Sequence, residues 1–381
     1  MKRFIPVFLL VSAVLFSCSA ECVNHLPSEN ESMAECTTDM CPYTEKAYKP
    51  INFGYMKGEW IPYTEYPDLI YGKSEDEFRL AFRQRLEKAV ENGANTVFLH
   101  VHPNGDSYYR SEIYPKGKFW DGEYDVFQIM LDEAHSLGLS VHGWINPFRL
   151  QSTDDFDSIP DEFITKQWFI SGRNMGEING KMYLRPDSQE TNELLKNTVA
   201  EIITEYDVDG IHIDDYFYPT TDPEFDSTAF AESGSDNLAE WRMTNISNTV
   251  KAIYDTVKCG DKRLLFGISP QGNINSDYTM QYADVKLWLR EKGYADYIIP
   301  QIYFGFEHES CPFMQTLEMW EDLPRNEDVR LIIGLGAYKL GKNDIWAGKT
   351  AETEWTEHSD IIERQIKAVE NSDADGYAVY Y

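Results

Sequence analysis

Two periodicities alternate along most of the chain. Short runs rich in β-branched and aromatic residues, with apolar positions at every second residue, predict strands at Gly58–Tyr63, Ala94–His102, Leu139–Asn146 and Val208–Asp214. Four more follow at Arg263–Ser269, Ala295–Phe304, Val329–Tyr338 and Asp375–Tyr381. Between them, apolar residues recur three and four apart, the spacing of one helix face. This predicts helices over Ser74–Asn92, Tyr124–Gly138, Ser188–Tyr206, Leu238–Val257, Tyr278–Lys292, Phe313–Trp320 and Ser359–Asn371. Gly138 sits where a helix C-cap favours glycine.

Eight strands alternating with helices imply a parallel sheet, and eight such units point to an α/β fold of the (β/α)8 TIM-type barrel class. A doubly wound sheet is the alternative, but no Gly-rich phosphate loop follows the first strand. The sequence stops at Tyr381, on the eighth strand. The expectation is either a truncated sequence or a barrel closed without an eighth helix.

The alternation also assigns faces. In "GIHID", Ile211 and Ile213 share one side, and His212 and Asp214 the other. In a barrel the apolar side meets the helices, so His212 and Asp214 point inward near the C-terminal mouth, where such folds place their chemistry. By the same rule His100 and His102 share a face, His142, Trp144 and Asn146 share another, and Gln301 pairs with Tyr303. Four of the eight histidines thus line one mouth. Asp214 is followed directly by Asp215, and adjacent carboxylates repel and are costly to bury, so packing does not explain them.

Two chemistries fit such a mouth. His100 and His102 have the HxH spacing that places two metal ligands on one strand face. Alternatively, two carboxylates act on a glycosidic bond. Sensitivity to a chelator discriminates between them. "GIHID" is similar to the strand-four segment of amylase-type barrels, an aspartate preceded two residues earlier by a basic group; that resemblance implies that Asp214 is the nucleophile or the base that activates water, and that Asp215 holds a sugar hydroxyl or tunes Asp214. Tyr216, Phe217 and Tyr218 would wall the cleft. The partner acid is sought in "YFGFEHES", at Glu307 or Glu309, with Glu65 and Asp106 as further candidates.

Composition narrows the class. The net charge of −30 argues against nucleic acid, which needs a basic face. Aromatic residues make up 14% of the chain, including 24 Tyr and 9 Trp, the side chains that cover the apolar face of a pyranose. At the N-terminus, Lys2 and Arg3 precede an apolar run, Phe4–Phe16, too short for an ordinary membrane span. Leu15-Phe16-Ser17-Cys18 has the shape of a lipobox, with Cys18 the lipidated residue; a plain secretory signal is the rival. Labelled palmitate that fails to enter the protein would rule the lipobox out. This gives a signal peptide over 1–17, a lipid-anchored polar tether over 18–49, and the barrel over 50–381. It makes the protein an exported component of the bacterial cell envelope that touches membrane only through its anchor. Of the six cysteines, Cys36 and Cys41 could close a small loop, with free thiols the competing reading.

The segments "GEWIPYTEY", "NTVFLHVHPNGDSYYRSEIYP", "GLSVHGWINPFRL", "YLRP", "VDGIHIDDYFYP", "FGISPQGN", "DYIIPQIYF" and "GLGAY" run in the order found in the glycosyl-hydrolase-like 10 family. Over residues 51–381 the chain resembles that family. The resemblance implies a (β/α)8 fold, glycoside hydrolysis of a polysaccharide (a cell-wall glycan is one candidate) and no cofactor or metal. Where the family has "QVRP", this chain has His100-Val101-His102-Pro103, so a loop arginine becomes His102. Carried onto this sequence, the substrate contacts are His102, Asp106, Tyr109, His142, Trp144, Asn146, Arg149, His212, Tyr216, Gln301 and Tyr303, around the carboxylates Asp214, Asp215, Glu307 and Glu309. A non-catalytic carbohydrate-binding barrel remains the other class, kept open because strand five ends without a carboxylate.

Overall fold

The computed structural model describes residues 46–381. The signal segment, Cys18 and the tether up to residue 45 lie outside the described residues. Eight parallel strands form the barrel: β1 Met56–Ile61, β2 Thr96–His102, β3 Ser140–Ile145, β4 Gly210–Ile213, β5 Leu265–Ile268, β6 Tyr297–Ile298, β7 in two pieces at Arg330–Leu331 and Ile333–Gly336, and β8 Gly376–Tyr380. The first piece of β7 pairs with β6 and the second with β8, while β8 pairs with β1. The two ends of the sheet are therefore consecutive stretches of one strand, and the barrel closes without an eighth helix. The break falls at Ile332, whose side chain turns into the barrel interior while its N–H still bonds Ile298 O at 2.9 Å.

Each of the first seven strands is followed by a helix: α1 Glu75–Glu91, α2 Val126–Ser136, α3 Gln189–Glu205, α4 Leu238–Gly260, α5 Val285–Arg290, α6 Phe313–Glu321 and α7 Ile361–Glu370. α1 starts on a capping box, in which Ser74 and the Glu77 side chain satisfy each other's backbone N–H groups. The single helix expected over Tyr278–Lys292 is two, Ile274–Met280 and α5. Tyr282 between them has φ +51°, which ends the first, and the Asp284 carboxylate caps the second.

The apolar face of every strand packs against the helices, as the alternation requires. The opposite face fills the barrel with Met56, Trp60, Phe98, Trp144, Tyr297, Ile299, Ile332 and Ala378. These rings fit because glycines oppose them. A Cβ on Gly267 would stand 1.8 Å from the Tyr297 ring, and one on Gly58 2.6 Å from Phe98.

Two further features matter for the mouth and the base. Between β3 and α3, where the sequence suggested only a long loop, a small antiparallel sheet forms from Arg149–Ser152, Met175–Ile178 and Lys181–Leu184. It brings Arg149 to the C-terminal end. At the other end, residues from Lys46 onward, read from sequence as the end of a free tether, lie against the barrel base. The buried Asp209 carboxylate accepts from Tyr48 Oη at 2.7 Å, Ile51 N at 2.6 Å and Val141 N at 2.6 Å. Arg263 bonds the carbonyls of Lys46 and Tyr48 at 3.2 and 3.1 Å. Cys311 is a free thiol, whereas Cys259 is disulfide-bonded; the loop expected between Cys36 and Cys41 lies outside the described residues.

Candidate active site

At the C-terminal end of the strands lies a cleft of about 260 Å³, lined by Trp60, Pro62, Tyr63, Thr64, His100, Trp144, Arg149, Asp214, Asp215, Tyr216, Gln301, Tyr303 and Tyr380. Of the residues read from sequence, it brings together Trp144, Arg149, Asp214, Asp215, Tyr216, Gln301 and Tyr303. His100 joins them, its ring stacked on Trp144 at 3.6 Å.

Asp214 follows the last residue of β4 and is 5% exposed. Burial pushes its carboxyl well above the usual range, and the neighbouring Asp215 charge adds to the shift. Its Oδ1 is buried without a hydrogen-bond partner, and so is the indole Nε1 of Trp144. Asp215 is half-buried and differs in its surroundings. Gln301 Nε2 donates to its Oδ1 and Gln271 Nε2 to its Oδ2, each at 3.2 Å. Burial raises Asp215 too, but the amide donors oppose the rise. Two adjacent carboxyls therefore sit in unlike environments, the arrangement that separates an acid from an anion. Arg149 stacks over the Tyr216 ring at 4.8 Å and leaves its buried Nε without a partner.

The barrel interior under the cleft is wired in one direction. The Trp60 indole, a donor only, gives its hydrogen to His212 Nε2 at 3.1 Å. Burial holds His212 neutral, so its Nδ1 carries the proton and donates to Tyr297 Oη at 3.2 Å. Tyr297 in turn donates to His142 Nδ1 at 2.7 Å, and burial pushes His142 down to about 3. His212 and His142 are thus enclosed supports of the Trp60 ring and do not line the cleft, contrary to the substrate contacts expected of them.

Other expected contacts also fall elsewhere. The β2–β3 register shifts between His100 and His102, so His102 pairs with Ile145 and leaves the face of His100. His102 packs on Tyr114, bonds Asp106 O through Nδ1 at 2.8 Å, and is fully buried. The bulge thus removes the shared face on which the HxH ligand pair depended, and no group of three or more His, Cys, Asp or Glu among the described residues is placed to hold a metal ion. Asn146 is buried, with its Nδ2 bonded to Pro103 O at 3.1 Å. Tyr109 is buried in the outer core. Phe217 and Tyr218 are buried as well; the Tyr218 hydroxyl donates to Asp226, which holds the fully buried Arg242, so only Tyr216 walls the cleft.

The acids proposed as partners do not line the cleft. Glu307 and Glu309 are exposed. The buried Glu354 carboxylate accepts from Phe306 N at 2.8 Å and Glu307 N at 3.0 Å, which turns their loop outward. Glu309 bonds Thr350 N and Oγ1 instead. Glu65 is held by Arg85 at 2.6 and 3.0 Å. Asp106, pushed up to about 6 by burial, caps Asn104 N at 3.0 Å beside the cleft.

The residues sequence reasoning missed are Trp60, Tyr63 and Tyr380, and behind them Gln271 and Asp277. Trp60 and Tyr380 carried a signal: each lies two positions from a small inward residue, Gly58 and Ala378. Asp277 lies on the short helix after β5, fully buried, and accepts from Gln271 N at 3.0 Å, which orients the amide that holds Asp215.

Comparison with known proteins bears on the fold and the family. Glycosyl hydrolase YngK of Bacillus subtilis (strain 168) is 29% identical over 71% of this chain and 58% of its own length. Glycosyl hydrolase DigH of Escherichia coli (strain K12) is 31% identical over 69% of this chain and 66% of its own. The chain thus spans about 58–66% of the length of these relatives. Among solved structures, the glycoside hydrolase domain of PgaB (BpsB) from Bordetella bronchiseptica superposes with a TM-score of 0.58 at 13% identity, covering 87% of this chain and 94% of that one. Alpha-L-fucosidase isoenzyme 2 from Paenibacillus thiaminolyticus does so at 0.53 and 13% identity, over 85% and 46%. These likenesses at low identity show the TIM-barrel fold. The model of the family described as "Glycosyl hydrolase-like 10" matches residues 56–355. With the motifs in order and a carboxylate pair at the end of the fourth strand, the chain belongs to the glycosyl hydrolase-like 10 family.

Proposed function

We propose that this protein is an exported glycoside hydrolase, anchored through lipid on Cys18, that cleaves a polysaccharide at the Asp214–Asp215 pair. The observation that carries the reading is the pair itself: two carboxyls in one aromatic-walled cleft, one more deeply buried with its Oδ1 unpartnered, the other held by two amides. Asp214 keeps its proton towards neutral pH and gives it to the glycosidic oxygen as the C1–O bond breaks. Asp215 stays anionic and stabilises the cationic sugar centre that develops. Water then adds its hydroxyl to C1, and its proton returns to the carboxylate pair. This reverses the roles expected from sequence, where Asp214 was the nucleophile or the base. A cell-wall glycan is the substrate we favour, because Arg149, whose buried Nε has no hydrogen-bond partner, suits an anionic substituent in a chain of net charge −30, and muramic residues carry one.

The test is kinetic. Asp214→Asn should lower kcat on natural glycans at least roughly 100-fold, about 2.7 kcal/mol at the transition state. It should spare activated aryl glycosides, whose leaving groups need little protonation. Asp215→Asn should impair both. Unchanged turnover in both variants removes the pair from the mechanism. A second reading, binding without cleavage, is favoured by one observation: Asp214 and Asp215 are the only carboxylates lining the cleft among the described residues. It prevails if glycans bind and none is cut.

A further inference from the structure

The loop after β7 presents the most exposed large apolar side chain among the described residues. Trp346 is 81% exposed, with Ile345 beside it at 70%. Leaving such a side chain in water forgoes the gain that burying it would bring. The loop is nevertheless firmly mounted. Buried Asp344 accepts from Trp346 N at 3.2 Å and from Lys339 Nζ at 2.7 Å. Glu309 N bonds Ala347 O at 2.8 Å, and the Glu309 carboxylate accepts from Thr350 Oγ1 at 3.1 Å. The carboxylates of Glu309 and Glu354 thus zip the loop after β6 to the loop after β7, and the indole stands on the joint.

The mount is continuous with the cleft. Tyr338, where this loop begins, meets Tyr303 edge-on at 5.8 Å and Tyr380 at 5.5 Å, and both of those rings line the cleft. Two exposed apolar side chains are too little for a stable protein interface, which buries about 1,200 Å² or more. A flat, exposed indole suits the apolar face of a pyranose, and the loop that carries it starts at Tyr338, against the tyrosines of the cleft. We propose that Trp346 is an outer sugar-stacking platform, reached from the cleft by way of Tyr338, that holds a polymeric glycan while its end or middle is processed at Asp214. The proposal rests on the hydrolase reading for its ligand class, but its test does not require turnover.

Binding is measured in the Asp214→Asn protein with soluble cell-wall glycan strands and with colloidal chitin, by affinity electrophoresis and pull-down. Adding Trp346→Ala should weaken binding at least about tenfold, with partial recovery in Trp346→Phe. In the active protein, Trp346→Ala should raise KM on long chains and leave aryl-glycoside turnover unchanged. The proposal is overturned if the parent binds neither polymer, if Trp346→Ala binds as tightly as the parent, or if short and long substrates suffer alike. It is overturned too if Trp346 drives binding to anionic phospholipid vesicles, which would make the loop a membrane contact. Polymer binding through Trp346 with no glycan cleaved would sink the hydrolase reading and leave the platform standing.

Discussion

Asp214 is kept where a carboxylate is costly, and the cost has a sign. Its folded pKa is raised, by burial first and by Asp215 second. Below the ordinary carboxylate range both folded and unfolded chains hold the proton, and folding is indifferent to it. Above that range the unfolded chain releases a proton that the folded chain keeps, so stability falls as pH rises until the folded pKa is passed. Asp214→Asn should therefore be more stable than the parent at neutral pH. The gap should widen as pH rises above the ordinary carboxylate range, at most by about 1.4 kcal/mol per pH unit. Urea unfolding from that range up to about pH 7.5 checks it, and a variant less stable than the parent at about pH 7.5 would refute it. The sequence showed this residue because strand alternation is a rule of the backbone. It did not show which of the two aspartates is held by side-chain amides, since Gln271 and Gln301 arrive from distant loops.

Within single elements the sequence was legible wherever a period existed. "FRQRLEKAV" and "GIHID" each declare a buried face, and the structure follows them. The reading failed where a period is broken by one residue. The bulge at His102 changes its face, and φ at Tyr282 splits a helix. It failed again in loops, where Glu307 and Glu309 had no pattern to say which way they point. The inner layer adds a size rule that alternation alone does not carry: large rings need a glycine opposite. Gly267→Ala would drive a methyl into the Tyr297 ring. It should cost at least about 1–3 kcal/mol and disturb the Tyr297 bonds that orient Trp60. A lowered urea midpoint with a raised KM is the expected result, and an unchanged midpoint would show that the ring can move aside.

For the molecule as a whole, order in the chain is order around the barrel, which is why eight strands could be counted before any were seen. Closure was not legible, because it depends on one strand shared between two neighbours. Nor was the strap on Asp209, whose donors Tyr48, Ile51 and Val141 are all far from it in sequence. Asp209→Ala strands two backbone N–H groups at the base, and should cost about 2–4 kcal/mol while kcat per folded molecule is retained. Urea titration with parallel activity assays measures both, and a proportionate fall in kcat would tie the base to the cleft. The strap also decides where mechanical load goes. A pull on the polypeptide upstream of Lys46 is taken up at Asp209 and Arg263, under the barrel floor. The jaws at Asp214 stand at the opposite end of the staves. A load applied at the Lys46 end is carried along the strands and not across the cleft.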